Sequence, residues 1–539
     1  MNLLVKTSFA LRAFFVLTAM VLFAGCTGSG GDKTLKFGVK KSETIIVNLQ
    51  TEPPSLDWHI GTDTTSHEIT MNIMDGLTEF DYADPELKPK PALATKWESD
   101  KAAKKWTFEL REDVKWTDGV AFEAQHVIDA WERLLNPQTA AEYAYFLFNL
   151  KNAKAYNEGK IKDFSQVGVK AVGKHKIEIE LDGPVSFFPS MLVHHSTFPI
   201  RKDVIAKHGN KWTEPGNIVT LGAYNLKEWE HDEAILLERN ENFWGEKAKT
   251  KYVLGRMIQE QSSAINAFDA GEIDIIPELP STDISILSKR SEFQTQNGLI
   301  VYYYGFNTKV EPFDKVDFRK AIVHAIDKSE IITILGKKEE PATSWVPKGM
   351  MGYMENIGLK FDVEKAREHL TKAGFSDGSK VPRITITFNT NENHRKVAEN
   401  IQAQLKRNLG VNVEILNEEW KVYLSKLKSK RGFSIFRMGW VADYPDPDNF
   451  LNLLTGFSAN NHTGWKNKEY DSLIAKGLAE LNADKRKEYY TAAQKILLED
   501  DVPTLPLYYS NRQYLVNKRI KNFKLNPLDH KVYRVVSVE

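Results

Sequence analysis

A chain of 539 residues with a single cysteine, Cys26, has no disulfide to hold it together, so every part of its fold has to close on apolar burial and hydrogen bonding. At that length one hydrophobic core no longer suffices, and two or three domains are expected. The position of the cysteine is itself informative. Lys6 and Arg12 precede an apolar run, 13–24, and Gly25-Cys26-Thr27 opens a spacer of Ser, Gly, Asp and Lys. A positive start, a short apolar segment and small residues at its end make an export signal over 1–25, because the run is too short to cross a membrane. The body beyond it carries no thiol, which excludes cysteine nucleophiles and cysteine-based zinc sites. Charge is balanced, 72 basic against 72 acidic residues, which removes the basic footprint of a general nucleic-acid binder. The 12 Trp and 19 Tyr suit a ring-lined ligand surface as well as they suit large cores.

Along the chain, 44–49 reads as the first strand, 69–75 as a helix stopped by Gly76, and Trp106, Phe108 and Leu110 as the buried face of a strand. Val127, Trp131 and Leu134 recur at helical spacing. Two hairpins follow, 169–172 with 177–181 and 224–229 with 234–239, then a helix over 262–269 and a strand at 274–276. The grammar changes at the β-prone, ring-rich 301–307. Beyond it, 384–388, a helix carrying Val397, Ile401 and Leu405, and 411–415 make a β-α-β unit, whose crossover should be right-handed and its strands parallel. A helix from Trp420, two more over 470–481 and 485–498, and a late strand at 503–509 complete the pattern.

The stretch 436–450 carries the clearest candidate site. Arg437 to Ala442 reads as a short buried strand, and two X-Pro steps then hold the chain extended until Pro447. Alternation puts Arg437, Gly439, Val441 and Asp443 on one face, with Gly439 leaving room for another backbone. Such a strand spans roughly 20 Å. An extended peptide with its ammonium near Asp443 and its carboxylate near Arg437 fits that gap; an ordinary core strand with charged ends is the plain alternative.

Several motifs then occur in one order: Glu52-Pro53-Pro54-Ser55-Leu56-Asp57, Trp106-Thr107-Phe108 with Trp116-Thr117-Asp118-Gly119, Leu221-Gly222-Ala223-Tyr224, Gly410-Val411-Asn412-Val413 with Glu419-Trp420, and Gly439-Trp440 with Ala442-Asp443-Tyr444. Together they resemble the family 5 extracellular solute-binding proteins, above all the oligopeptide-binding subunits of peptide ABC importers. Leu22-Phe23-Ala24-Gly25-Cys26 resembles a bacterial lipobox, with Phe23 where Leu is usual; a plain secretory signal with an incidental cysteine is the other reading. The resemblance implies an α/β, two-lobed periplasmic-binding-protein-like fold with a hinge and an extra α+β domain inserted in the first lobe. Mapped onto this chain, 26–42 is the lipidated N-terminus and linker, 43–80, 200–300 and 509–539 the first lobe, 81–199 the insert and 301–508 the second lobe. Hinges fall at 299–303 and 505–509.

By the same resemblance Asp443 takes the peptide's ammonium, while Arg437 and His394 meet its carboxylate. Trp420 walls a side-chain pocket, Gly439 and Val441 offer backbone groups, and Tyr303 touches the ligand. A tyrosine that contacts peptide in relatives falls at Phe146, so that hydroxyl is lost unless Tyr145 replaces it. The implied partners are short peptides, the membrane permease subunits of the importer, and the membrane through a lipid on Cys26. A monomer is expected, exported and anchored at the outer face of the cytoplasmic membrane or in the periplasm, with no nucleic acid, cofactor or metal. The rivals are a same-family receptor for a dipeptide, nickel chelate, glutathione or signalling peptide, and a secreted hydrolase. Against the hydrolase, the chain has no His-Glu-x-x-His. Asp443, Asp446 and Asp448 make no calcium loop, since the twelfth position counted from Asp443 is Leu454.

Overall fold

The computed structural model describes residues 32–336 and 338–539, so Cys26 and the apolar run before it lie outside the described residues. Its organising element is one mixed sheet crossing the molecule. The strands that matter here are β1 Thr44–Asn48, β2 Ala94–Ser99, β3 Lys105–Leu110, β4 Val169–Ala171, β5 Lys176–Glu180, β6 Tyr224–Glu230 and β7 Ala234–Arg239. They continue as β8 Tyr252–Arg256, β9 Ile275–Ile276, β10 Phe293–Phe306, β11 Ile384–Asn389, β12 Val413–Glu418, β13 Ile435–Val441 and β14 Thr504–Val516. In the large sheet the order is β12-β11-β13-β10-β14-β9-β1-β8-β7-β6. The two long central strands therefore belong to both halves. β10 pairs with β14 along most of its length, with β13 beyond Ile300 on one side, while the far end of β14 pairs with β9 on the other.

Each half wraps its own end of this sheet. The β-α-β unit forms as expected: β11 and β12 run parallel from Ile384↔Val413 to Asn389↔Glu418, joined by the helix Glu392–Leu409. Asn391 caps that helix by accepting from the backbone N–H groups of Asn393 and His394, and Gly410 ends it at φ 73°. A second, antiparallel sheet, β2-β3-β5-β4, stands apart, with the helix Ala124–Leu135 burying Val127, Trp131 and Leu134. Tyr302, Tyr304 and Phe306 lie on one side of β10 and Val301 and Tyr303 on the other, in two distinct apolar clusters.

Two expectations shift. The helix read over 69–75 is Thr64–Ile73; it starts early because Asp63 caps it, accepting from the Thr65 and Ser66 N–H groups. Gly76 stands there for closeness, since a Cβ would meet the Leu192 carbonyl oxygen at 2.6 Å. Both central strands also start or end well beyond 301–307 and 503–509, because the ladder between them continues into the other half.

Candidate functional site

Where β10 and β14 pass between the halves a cleft opens, and a second hollow beside it shares Glu68, Trp420, Arg437 and Arg512 in its lining. Strand β13 forms one wall. It pairs with β10 from Ile300↔Val441 to Phe306↔Ile435, but with β11 only at Ile435 and Phe436. Among the described residues its backbone edge beyond Arg437 therefore has no strand beside it, and this edge faces the cleft. Gly439 keeps it accessible: the nearest atoms to a Cβ there would be Arg437 Nη2 and the Val301 carbonyl oxygen, at 3.6 and 3.7 Å.

Asp443 sits at the end of that edge with its side chain 12% exposed. Asn449, on the short helix Pro447–Asn452, fixes it. The Asn449 amide oxygen accepts from the Trp440 indole (2.8 Å) and the Asp443 N–H (3.1 Å), which turns its NH₂ toward Asp443 Oδ2 at 2.8 Å. Tyr143 Oη donates to Oδ1 at 3.4 Å and His194 Nε2 lies at the same distance. Among the described residues no lysine or arginine is within ion-pair reach of this carboxylate. Burial, followed by the charge of Asp443, pushes the Tyr143 phenol well above its ordinary range.

At the other end Arg437 lies over the Tyr302 ring, 4.5 Å from its centroid, and Nη1 donates to Asn389 Oδ1 at 3.3 Å. Its Nε is buried with no hydrogen-bond partner among the described residues. His394, whose Nδ1 is 3.2 Å from Tyr302 Oη, faces the same second hollow. Trp420, the first residue of the helix Trp420–Ser429, borders both hollows.

Six of the cleft residues expected from the sequence are thus brought together: Asp443, Arg437, His394, Trp420, Gly439 and Val441. Tyr303 is not. Its ring packs against Trp345 and Phe436 at 2% exposure, because strand alternation turns 303 into the core and presents Tyr302 to the cleft instead. Phe146 packs on His194 and Tyr444, and Tyr145 Oη meets Asn460, so the hydroxyl in the cleft is that of Tyr143. Reading along the chain also missed the opposite wall, Glu68, Arg512, Asp529 and Lys531. These pair among themselves, Lys531 with Glu68 at 2.9 Å and Arg512 with Asp529 at 2.8 Å. Four histidines, His67, His194, His195 and His530, line the cleft near Asp443. Burial holds the imidazoles of His67 and His195 well below the usual histidine range and lowers His530 to about 4.

Two halves joined by continuous strands, with an enclosed polar cleft between them and an open strand edge on its wall, define a solute-binding protein of the two-lobed, hinged class. Comparison narrows this. Residues 88–462 match the profile described as bacterial extracellular solute-binding proteins, family 5 Middle, and the chain belongs to that family. It is 34% identical over 534 residues to the oligopeptide-binding protein OppA of Bacillus subtilis, covering 95% of this chain and 96% of that one. Among solved structures it superposes on Haemophilus influenzae OppA in complex with RPPGFSPFR at TM-score 0.87 and 29% identity, over 93% of this chain and 99% of that one. Against the Escherichia coli murein tripeptide binding protein MppA, 30% identical, the TM-score is 0.88 over 93% of this chain and 99% of that one. Against the unliganded open form of MppA it falls to 0.62, over 93% of this chain and 98% of that one. The halves of the present structure are therefore set as in the former two. Among the described residues no helix is long and apolar enough to cross a membrane.

Proposed function

We propose that this chain captures short oligopeptides between its two lobes and delivers them, chemically unchanged, to the membrane permease of an ABC importer. The observation that carries the reading is Asp443: a nearly enclosed carboxylate held by an amide, a phenol and an imidazole, at the end of an open strand edge whose other end is Arg437. A peptide has a cation at one end, an anion at the other and a row of amides between. Strand addition along β13 satisfies the amides whatever the side chains, and the charged ends set register. The names of the relatives, oligopeptide-binding and murein tripeptide binding among them, support the same ligand class.

In this reading 43–80, 200–300 and 509–539 form the first lobe, 81–199 an insert that contributes Tyr143 and His194, and 301–508 the second lobe. Asp443 takes the ammonium, Arg437 and His394 the carboxylate, and Trp420 walls a side-chain pocket. Gly439 and Val441 offer backbone groups, and Tyr302 stands in the place expected of Tyr303. The protein acts as a monomer outside the cytoplasm, held to the membrane by a lipid on Cys26.

Burying an ion pair often adds little net affinity, since each ion is costly to desolvate; its value is in rejecting ligands that leave one partner unpaired. Calorimetry with a tripeptide tests this. Asp443→Asn is expected to weaken binding more than about tenfold, for which roughly 1.4 kcal/mol suffices. The N-acetylated tripeptide is expected to lose a similar factor against the unsubstituted protein and much less against Asp443→Asn. Equal binding of free and acetylated peptide by the unsubstituted protein would remove Asp443 from this role.

A further inference from the structure

The histidines beside Asp443 exceed what recognition of an ammonium requires. His67 comes from the helix Thr64–Ile73, and His194 and His195 from a segment more than a hundred residues later. One ring nitrogen from each of the three lies within 4.8 Å of the other two. The hydrogen-bond pattern leaves one of these ring nitrogens as an unpartnered lone pair. His195 Nε2 lies 3.0 Å from the Gly61 carbonyl oxygen, which can only accept, so Nε2 carries the proton and Nδ1 is a lone pair. His67 Nδ1, 2.7 Å from that lone pair, must then donate to it. That leaves His67 Nε2 as a lone pair, buried and without a partner among the described residues, while His195 Nδ1 becomes free to ligate only as the two rings separate. An imidazole whose other ring nitrogen is anchored on a backbone carbonyl is the usual outer arrangement of a metal-ligating histidine. His194 Nδ1 accepts from the Ser196 backbone N–H at 3.3 Å, and ligation through Nε2 requires the ring proton to move to Nδ1, where Ser196 Oγ, 2.8 Å away, can accept it.

From this geometry we propose that His67, His194 and His195 bind one divalent transition-metal ion, of the zinc, nickel or copper kind, on the cleft wall next to Asp443. An all-imidazole donor set selects these ions over calcium or magnesium, which take oxygen ligands. Metal–nitrogen bonds of about 2.0–2.1 Å place tetrahedral ligand nitrogens about 3.3 Å apart, so the three rings need shifts on the order of 1 Å to converge. The local charge favours a cation. Lys531 and Arg512 are matched by Glu68 and Asp529, whereas Asp443, 3.4 Å from His194 Nε2, has no cationic partner among the described residues. An ion there occupies the neighbourhood assigned above to the ligand's ammonium and excludes it; this second statement rests on the peptide reading, the first does not.

The full chain, stripped with a chelator and dialysed, is titrated calorimetrically with ZnCl₂ and NiCl₂ at pH 7.5 without peptide. One ion per chain is expected, with affinity reduced at least a hundredfold in His67→Ala and in His195→Ala and unchanged in His231→Ala, a half-exposed histidine paired with Glu52 elsewhere. Cobalt(II) should give the visible bands of a low-symmetry nitrogen-ligated site in the unsubstituted protein, a readout that does not depend on how any variant folds. No stoichiometric binding of zinc, nickel or cobalt, or binding that survives both substitutions, overturns the site. Titration of a tripeptide with zinc at saturation is expected to show affinity at least tenfold weaker; unchanged affinity overturns the exclusion.

Discussion

Asp448 lies one turn of chain beyond Asp443 and is fully buried, with Tyr444 Oη donating to Oδ2 at 2.9 Å and no partner for Oδ1 among the described residues. Burial, reinforced by the negative charge of Asp446, raises its carboxyl from 3.8 to about 7. The sign for stability follows. Between about 4 and about 7 the folded chain holds a proton that the unfolded chain has released, so this group's contribution falls as pH rises through that window and is level above it. Asp448→Asn should therefore raise the melting temperature at pH 8, by about 2 °C or more, and leave it nearly unchanged at pH 4; thermal melts at the two pH values measure the difference. Its neighbours show what a sequence discloses at this scale. Arg437 and Gly439 were legible because they share one strand, whose alternation fixes their common face, and Asp443 because it follows two residues beyond the end of that strand. Tyr143, His67, His194 and Lys531 were not, because each arrives from a separate segment and only tertiary packing sets them around the same cleft. Tyr303 failed by one position of that same alternation: β10 has two buried faces, and composition gives no sign of which ring turns outward.

At the level of elements, the strands and helices were largely readable from periodicity, and the β-α-β crossover formed with the parallel pairing expected. The extents of β10 and β14 were not readable, since residues 293–299 of β10 are polar or half-buried and take their strand character from β14 rather than from their own side chains. The ladder between these strands shifts register between Asn297 and Val301, where Leu299 instead exchanges backbone hydrogen bonds with Pro527 and Ala442, and again between Tyr302 and Tyr303. Beyond these shifts the packing tolerates nothing extra. Gly305 faces Phe436 across β10 and β13, and a Cβ at 305 would fall 2.1 Å from the Phe436 ring, itself completely buried. Gly305→Ala should cost about 1–3 kcal/mol, read as a lower urea midpoint at unchanged slope. A midpoint equal to that of the unsubstituted protein would mean that the ring has room to move.

For the molecule as a whole, closure is where affinity becomes a signal. A ligand shifts the balance between open and closed arrangements only by the difference in its affinity for the two. The similarity to one relative drops from TM-score 0.88 to 0.62 when that relative is in its unliganded open form, so the two forms of that protein differ in overall arrangement. A tripeptide should therefore reduce the radius of gyration measured by small-angle scattering, and at a hundred times its dissociation constant should stabilise the fold by about 2.7 kcal/mol. Scattering curves that superpose with and without a ligand shown to bind would argue for a rigid receptor.

The half that contains β1 is assembled from both extremities of the polypeptide. β1 lies between β8 and β9, and β9 in turn pairs with Leu515 and Val516. Farther on, the Asn72 side chain bonds to the backbone of Lys531 and Tyr533, and Thr250 to that of Val536. The other half's apolar cluster draws only on residues 302–508. Contacts between segments far apart in sequence are slow to form, so the half that contains β1 is expected to be the later of the two to regain its packing on refolding.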